Sequence, residues 1–192
     1  MNYSECIENA RTRIGNYCKA CPECNGRACK NQMPGPGSKG IGDTAVRNYD
    51  KWKEIRVQMD TIAENKPVDT SLELFGKTFC YPVFAGPVGA VSLHYGDCLD
   101  DVAYNDILVS ACAENGIAAF TGDGVDSNVM VAATAAIKKA GGVGIPTVKP
   151  WNLETIREKM ELVHESGAFA VAMDIDAAGL PFLKNMEPPA GS

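Results

Sequence analysis

Histidine is nearly absent: only His94 and His164 stand among the 192 residues, so ready-made general bases are scarce. No run approaches the roughly 18 consecutive apolar residues of a membrane span, which excludes one. A basic surplus is missing too. Lysine plus arginine number 18 against 24 aspartates and glutamates, a net charge of −6 that argues against nucleic acid or an anionic membrane as partner. Residues 1–10 show no charged stretch leading into an apolar one, so a cytoplasmic location is expected.

What is present is ordinary globular material: 45% hydrophobic and 22% charged residues, enough for one buried core. The charge is uneven. Residues 1–58 carry 10 basic and 6 acidic side chains, whereas residues 59–192 carry 8 and 18, and the chain divides there into an N-terminal extension and a main unit. Eight cysteines in a leaderless chain read as thiols or metal ligands rather than disulfides. Cys18, Cys21, Cys24 and Cys29, spaced x2, x2 and x4, offer four soft ligands for either a [4Fe–4S] cluster or a structural zinc, with free or redox-active thiols as the alternative. Cys80, Cys98 and Cys112 read as core thiols.

Along the extension the pattern predicts a short polar helix, a cysteine-rich loop and a Pro/Gly connector over 31–43. The connector contains Gly35-Pro36-Gly37-Ser38-Lys39-Gly40, a literal dinucleotide-binding match that lacks the preceding strand such a motif requires. A helix is expected over 44–60, anchored by Val46, Trp52 and Val57. Beyond it, apolar runs at 81–85, 117–120, 143–148 and 168–175 alternate with helical patterns at 100–114, 128–140 and 153–166. Continuous apolar strands, each followed by a helix, indicate parallel strands buried on both faces. The fold class is therefore α/β, either a (β/α) barrel or a doubly wound sheet. In both, chemistry sits at the C-terminal strand ends, here Gly86 to Gly89, Thr121 to Gly124, Pro146 to Lys149 and Asp174 to Asp176. Lys149 is the basic group at these ends, Asp174 and Asp176 alternate, and Asp123 and Asp126 read as turn and capping residues.

The run from Asp69 through Lys77, then Tyr81-Pro82-Val83-Phe84-Ala85-Gly86-Pro87-Val88-Gly89, with Arg47 to Trp52 before it, resembles the FMN-dependent α-hydroxy-acid dehydrogenases and oxidases, the glycolate and lactate oxidase type. The resemblance spans roughly 43–176 and implies the first four strands of a TIM (β/α)8 flavin barrel over 59–192, behind the helical and Cys-rich extension. It implies FMN as cofactor, with Pro87, Val88 and Gly89 against the ring, Thr121 and the position of Asp174 touching it, and Asp176 orienting a catalytic histidine. Lys149 is a candidate near the cofactor or an acidic substrate. Pro146 and Val148 stand where that family carries a glutamine and a tyrosine, and Asp174 replaces a threonine. The implied reaction is hydride transfer from a 2-hydroxy acid to FMN. A complementary C-terminal half-barrel or self-association is then needed, and the isolated chain is expected to turn over little. Two other readings stand beside it: a flavin enzyme like type 2 isopentenyl-diphosphate isomerase, and a non-catalytic metal- or flavin-binding module.

Overall fold

The computed structural model describes residues 2–14, 18–28, 43–89 and 91–175, with the backbone alone at 93 and 94. In the extension, α1 (Tyr3–Arg13) begins at Asn2, whose side chain accepts from the Glu5 amide while the Glu5 carboxylate accepts from the Asn2 amide. Helix α2 (Thr44–Trp52) is shorter than the 44–60 expected: it ends in a turn at Lys53, and residues 55–70 carry no helix or strand. Trp52 and Val57 are solvent-exposed rather than anchors.

An antiparallel hairpin, β1 (Leu72–Leu74) and β2 (Lys77–Phe79), was not anticipated from the sequence pattern. Its two-residue turn places Phe75 and Gly76 at φ of 48° and 74°, the left-handed conformation that a tight hairpin turn with matching twist needs at both central positions. The hairpin delivers Phe79 into an aromatic cluster, with its ring 5.1 Å from Phe84 and 5.5 Å from Phe169, while Phe84 lies 6.4 Å from Phe120. The Cys80 amide donates to the Gly116 carbonyl, tying the hairpin to the entry of the next strand. It therefore covers the N-terminal end of the sheet.

After the short α3 (Val91–Tyr95) come α4 (Asp101–Glu114), β3 (Phe120–Thr121), α5 (Ser127–Lys139), β4 (Ile145–Val148), α6 (Leu153–Ser166) and β5 (Ala172–Met173). Asp100, Asp126 and Asn152 cap the three long helices through side-chain oxygens, and Gly167 ends α6 at φ 69°. The cap of α5 is Asp126, whose carboxylate oxygen accepts from the Asn128 amide. The three strands pair in parallel, in the order β3-β4-β5. The expected first strand at 81–85 is reduced to a single parallel bridge between Ala85 and Ala119, and the regular part of the fourth to two residues.

Two features bear on the alternatives that periodicity left open. Each strand lies beside its predecessor, with no reversal of order. The long helices share one face: Val109 and Cys112 of α4 and Ala136 and Ile137 of α5 pack with Ala119, while Met130 of α5 and Val163 of α6 pack with Val148. Both are what successive units of a barrel show, and one βαβαβ half of a doubly wound sheet, before its switch point, shows them as well. The described residues form an open run of strands, not a closed barrel.

Burial has a chemical consequence at Cys112. Its thiol is buried in the helix-facing core, and desolvation raises its pKa, with only the Ala85 backbone hydrogen bond opposing the rise. Because the thiolate is the nucleophile, Cys112 is expected to react with iodoacetamide far more slowly than the exposed Cys6, Cys24, Cys80 and Cys98 in native protein, and to join them in urea. Peptide mass spectrometry of the labelled protein reads this directly.

Candidate functional site

At the C-terminal ends of the strands the chain comes close to itself through backbone, not side chains. A Cβ on Gly122 would lie 2.4 Å from the Gly89 amide nitrogen and from the Val88 carbonyl group. One on Gly89 would meet the Asp123 carbonyl oxygen at 2.9 Å. Glycine at both positions lets the segment after strand one rest on the end of β3. Pro87, Val88 and Gly89 are thus held at this end of the sheet, where the sequence reading expected them.

Asp123 organises the rest. Its carboxylate is fully buried and accepts four hydrogen bonds. Oδ1 takes the Gly124 amide at 2.8 Å and Lys159 Nζ at 2.7 Å, and Oδ2 takes the Lys149 amide at 3.0 Å and Trp151 Nε1 at 2.6 Å. Lys159 reaches it from α6 and also lies over the Trp151 ring, 5.2 Å from its centroid. One side chain therefore joins the end of β3, the turn after β4 and helix α6. Sequence reasoning gave Asp123 only a turn role, and the donors from 26 to 36 residues away left no local signal.

Alternation along β4 sorts its side chains. Val148 packs among the helices, so Thr147 and Lys149 belong to the opposite, inner face. Ala172 is the register partner of Thr147, and Asp174 follows two residues later, its amide donating to the Val148 carbonyl. There Lys149 Nζ meets Asp174 Oδ2 at 2.6 Å, both side chains largely shielded from solvent. Thr147 is 4% exposed, and its hydroxyl has no hydrogen-bond partner among the described residues. The Thr121 hydroxyl, 1% exposed, is also unpartnered, although alternation gives Thr121 the face of Ala119. Thr147 was missed in the sequence because a threonine inside an apolar strand gives no pattern of its own. Asp176 and Cys29 lie outside the described residues, and the side chain of His94 is not described. His164 stands in the last turn of α6.

The cysteine loop lies beside α3, just after the strand-one end. Burial pushes the Tyr95 phenol up, and Tyr104 and the Cys18 and Cys24 thiols add to the shift. The Cys98 thiol donates to the Arg13 carbonyl at 3.4 Å, fastening α1 to the same region. Among the described residues, no group of three or more His, Cys, Asp or Glu side chains is placed to hold a metal ion, so Cys18, Cys21 and Cys24 are not gathered as ligands there. No helix among them is long and apolar enough to cross a membrane.

A buried unpartnered hydroxyl at Thr147, an ion pair and a glycine-lined backbone shelf at one end of a parallel sheet suit a flat ring with polar edges, so these residues fit a flavin. In comparison with known proteins, a family model described as FMN-dependent dehydrogenase matches residues 36–185. No curated protein matches the sequence.

Proposed function

The chain belongs to the FMN-dependent dehydrogenase family, and from that premise we propose that it forms the cofactor-facing part of an oxidoreductase taking hydride from the α-carbon of a 2-hydroxy acid. The observation that carries this reading is the polar end of the sheet, where Lys149, Asp174 and Thr147 share the inner face above an aromatic layer. FMN, when bound, supplies the hydride acceptor. Pro87, Val88 and Gly89 offer backbone groups to the ring, Lys149 and Asp174 its polar contacts, and Asp176 orients a base, whereas the Thr121 side chain lies on the helix-packed face. Binding on this shelf keeps the ring against low-dielectric surface, where each of these contacts is stronger than in water.

Oxidation also needs a base for the substrate hydroxyl and a clamp for its carboxylate. We infer that these come from strands that complete the barrel, in the same polypeptide or a second one, packing where Tyr81, Val83, Met173 and Ile175 are exposed. The isolated chain is then expected to associate and to turn over little. A well-behaved, active monomer on size exclusion would refute this.

The test of function is spectroscopic. The protein loaded with FMN should show flavin absorbance that bleaches anaerobically with lactate or glycolate once the barrel is complete. Flavin that no 2-hydroxy acid bleaches favours the isomerase-like reading, and absence of flavin favours a binding module. The cysteine spacing supports a separate proposal, that Cys18, Cys21, Cys24 and Cys29 together hold a [4Fe–4S] cluster or zinc. Anaerobic purification with iron and zinc analysis decides it, and metal-free protein sinks it.

A further inference from the structure

The N-terminal extension has helices and almost no core. Neither α1 nor α2 buries a side chain, and among the described residues of 1–58 only Ala20 and Gly26 are buried. Both belong to the cysteine loop, one on each side of Cys21 and Cys24. A small unit that removes so little apolar surface from water needs a cross-link to hold its backbone, and a bound metal is the alternative to disulfides. The described cysteines of the extension are free thiols.

The loop is also where the extension meets itself. From α1, the Tyr3 hydroxyl donates to the Pro22 carbonyl at 2.7 Å and Arg11 Nε to the Ala20 carbonyl at 3.3 Å. From α2, Ala45 approaches so closely that a Cβ on Gly26 would lie 2.8 Å from its own Cβ, and Asp50 pairs with Arg27 at 3.4 Å. Ala20 takes a φ of 43°, a left-handed conformation that residues other than glycine rarely adopt, and its amide donates to Cys18 Sγ at 3.4 Å. Such strain persists only where the surroundings hold it, and here they hold it beside a thiol. Amide donors to sulfur are among the contacts that orient thiolate ligands. Cys18, Cys21 and Cys24 are not gathered as ligands in this arrangement, so loading has to draw the loop tighter, and Ala20, Pro22 and Gly26, on which the helices rest, move with it. On its other side the loop faces the main unit: Cys18 and Cys24 stand near Tyr95 of α3, and the Cys98 thiol donates to the Arg13 carbonyl.

We propose that a thiophilic metal centre in the cysteine loop is the structural core of the extension, so that α1 and α2 fold and dock beside α3 only when the loop is loaded. This rests on the reading of the cysteines as a metal site, and it adds what the metal does there. Coordination supplies the folding free energy that apolar burial does not. The main unit has its own clusters around Val109 and Met130 and stands without it.

Hydrogen exchange read by mass spectrometry on the full chain, reduced and freed of metal and then given ZnCl2, tests this without any turnover. Zinc is a fair probe because a set of thiolates suited to an iron–sulfur cluster also suits zinc. Its binding is followed separately, by competition with a colorimetric chelator. With free zinc at about a hundred times its dissociation constant, exchange in α1 and α2 should slow at least about tenfold, while α4, α5 and α6 exchange as before. Cys21→Ser should lose the slowing. Zinc bound without slowing in α1 and α2, helices equally protected without zinc, or a slowing kept in Cys21→Ser each overturns the proposal and leaves the cysteines a metal site. A slowing that spreads equally to α4, α5 and α6 overturns it too, since the extension is then no separate unit. Failure to bind zinc overturns both readings. The wild-type comparison needs no variant, so a misfolded Cys21→Ser does not remove the test.

Discussion

Asp123→Ala is expected to lower the unfolding free energy by about 3–5 kcal/mol, the cost of leaving one partner of a buried ion pair uncompensated. Measured by urea denaturation at neutral pH, that is a large part of the roughly 5–15 kcal/mol that holds an ordinary domain together. The pair is sealed from solvent, with side-chain exposures of 8% at Lys159 and 0% at Asp123, and the other donors lose a partner as well. Without the carboxylate, the Lys159 ammonium, the Trp151 indole N–H and the Lys149 amide all forfeit the acceptor they reach. Lys159→Met removes only one of those donors and leaves an acid with three, so it should cost less than Asp123→Ala. Equal losses in the two variants would show that the ion pair alone matters and that the Trp151 and Lys149 bonds contribute nothing. Flavin affinity should follow Asp123 as well, because the turn it anchors carries Lys149 on to the Asp174 carboxylate.

The three long helices and the middle strands were legible because each advertises itself locally. Leu153, Ile156, Met160 and Val163 repeat at helical spacing between an Asn152 cap and a Gly167 stop, and α6 forms within those bounds. Ile145 to Val148 is an apolar run, and all four residues of β4 are buried. The hairpin escaped because its strands are three residues long and its turn is Phe75-Gly76, where a bulky aromatic takes the left-handed conformation that asparagine or aspartate usually signals. The helix expected over 44–60 stops at Trp52 because the apolar residues beyond it, Ile55, Val57 and Met59, find no core to face and remain exposed. In the site, the strand-end glycines and Lys149 could be read from position alone. The work of Asp123 and the unpartnered Thr147 hydroxyl could not, since both depend on groups brought together by the winding of the sheet. The barrel-type fold likewise rests on the family match over residues 36–185, which no single run of residues contains.

Gly122→Ala should be the most damaging small substitution in the site. The added Cβ would stand 2.4 Å from three backbone atoms, the Gly89 nitrogen and the Val88 carbon and oxygen, and none of these can rotate away as a side chain would. Overpacking by a methyl group generally costs about 1–3 kcal/mol, and a clash with immovable backbone belongs at or above the top of that range. The damage has a direction. Relief requires the strand-one end to lift from β3, which strains the single bridge between Ala85 and Ala119 and moves Pro87, Val88 and Gly89 off the shelf. Flavin affinity should therefore fall at least about tenfold, a loss of 1.4 kcal/mol in binding on top of the loss in stability. Gly124→Ala is the control two residues away: its Cβ would meet only Val129 Cγ2, at an ordinary 3.7 Å, and the variant should bind flavin and unfold like the wild type. If Gly122→Ala binds flavin as Gly124→Ala does, the contact between the two strand ends is not what shapes the cofactor shelf.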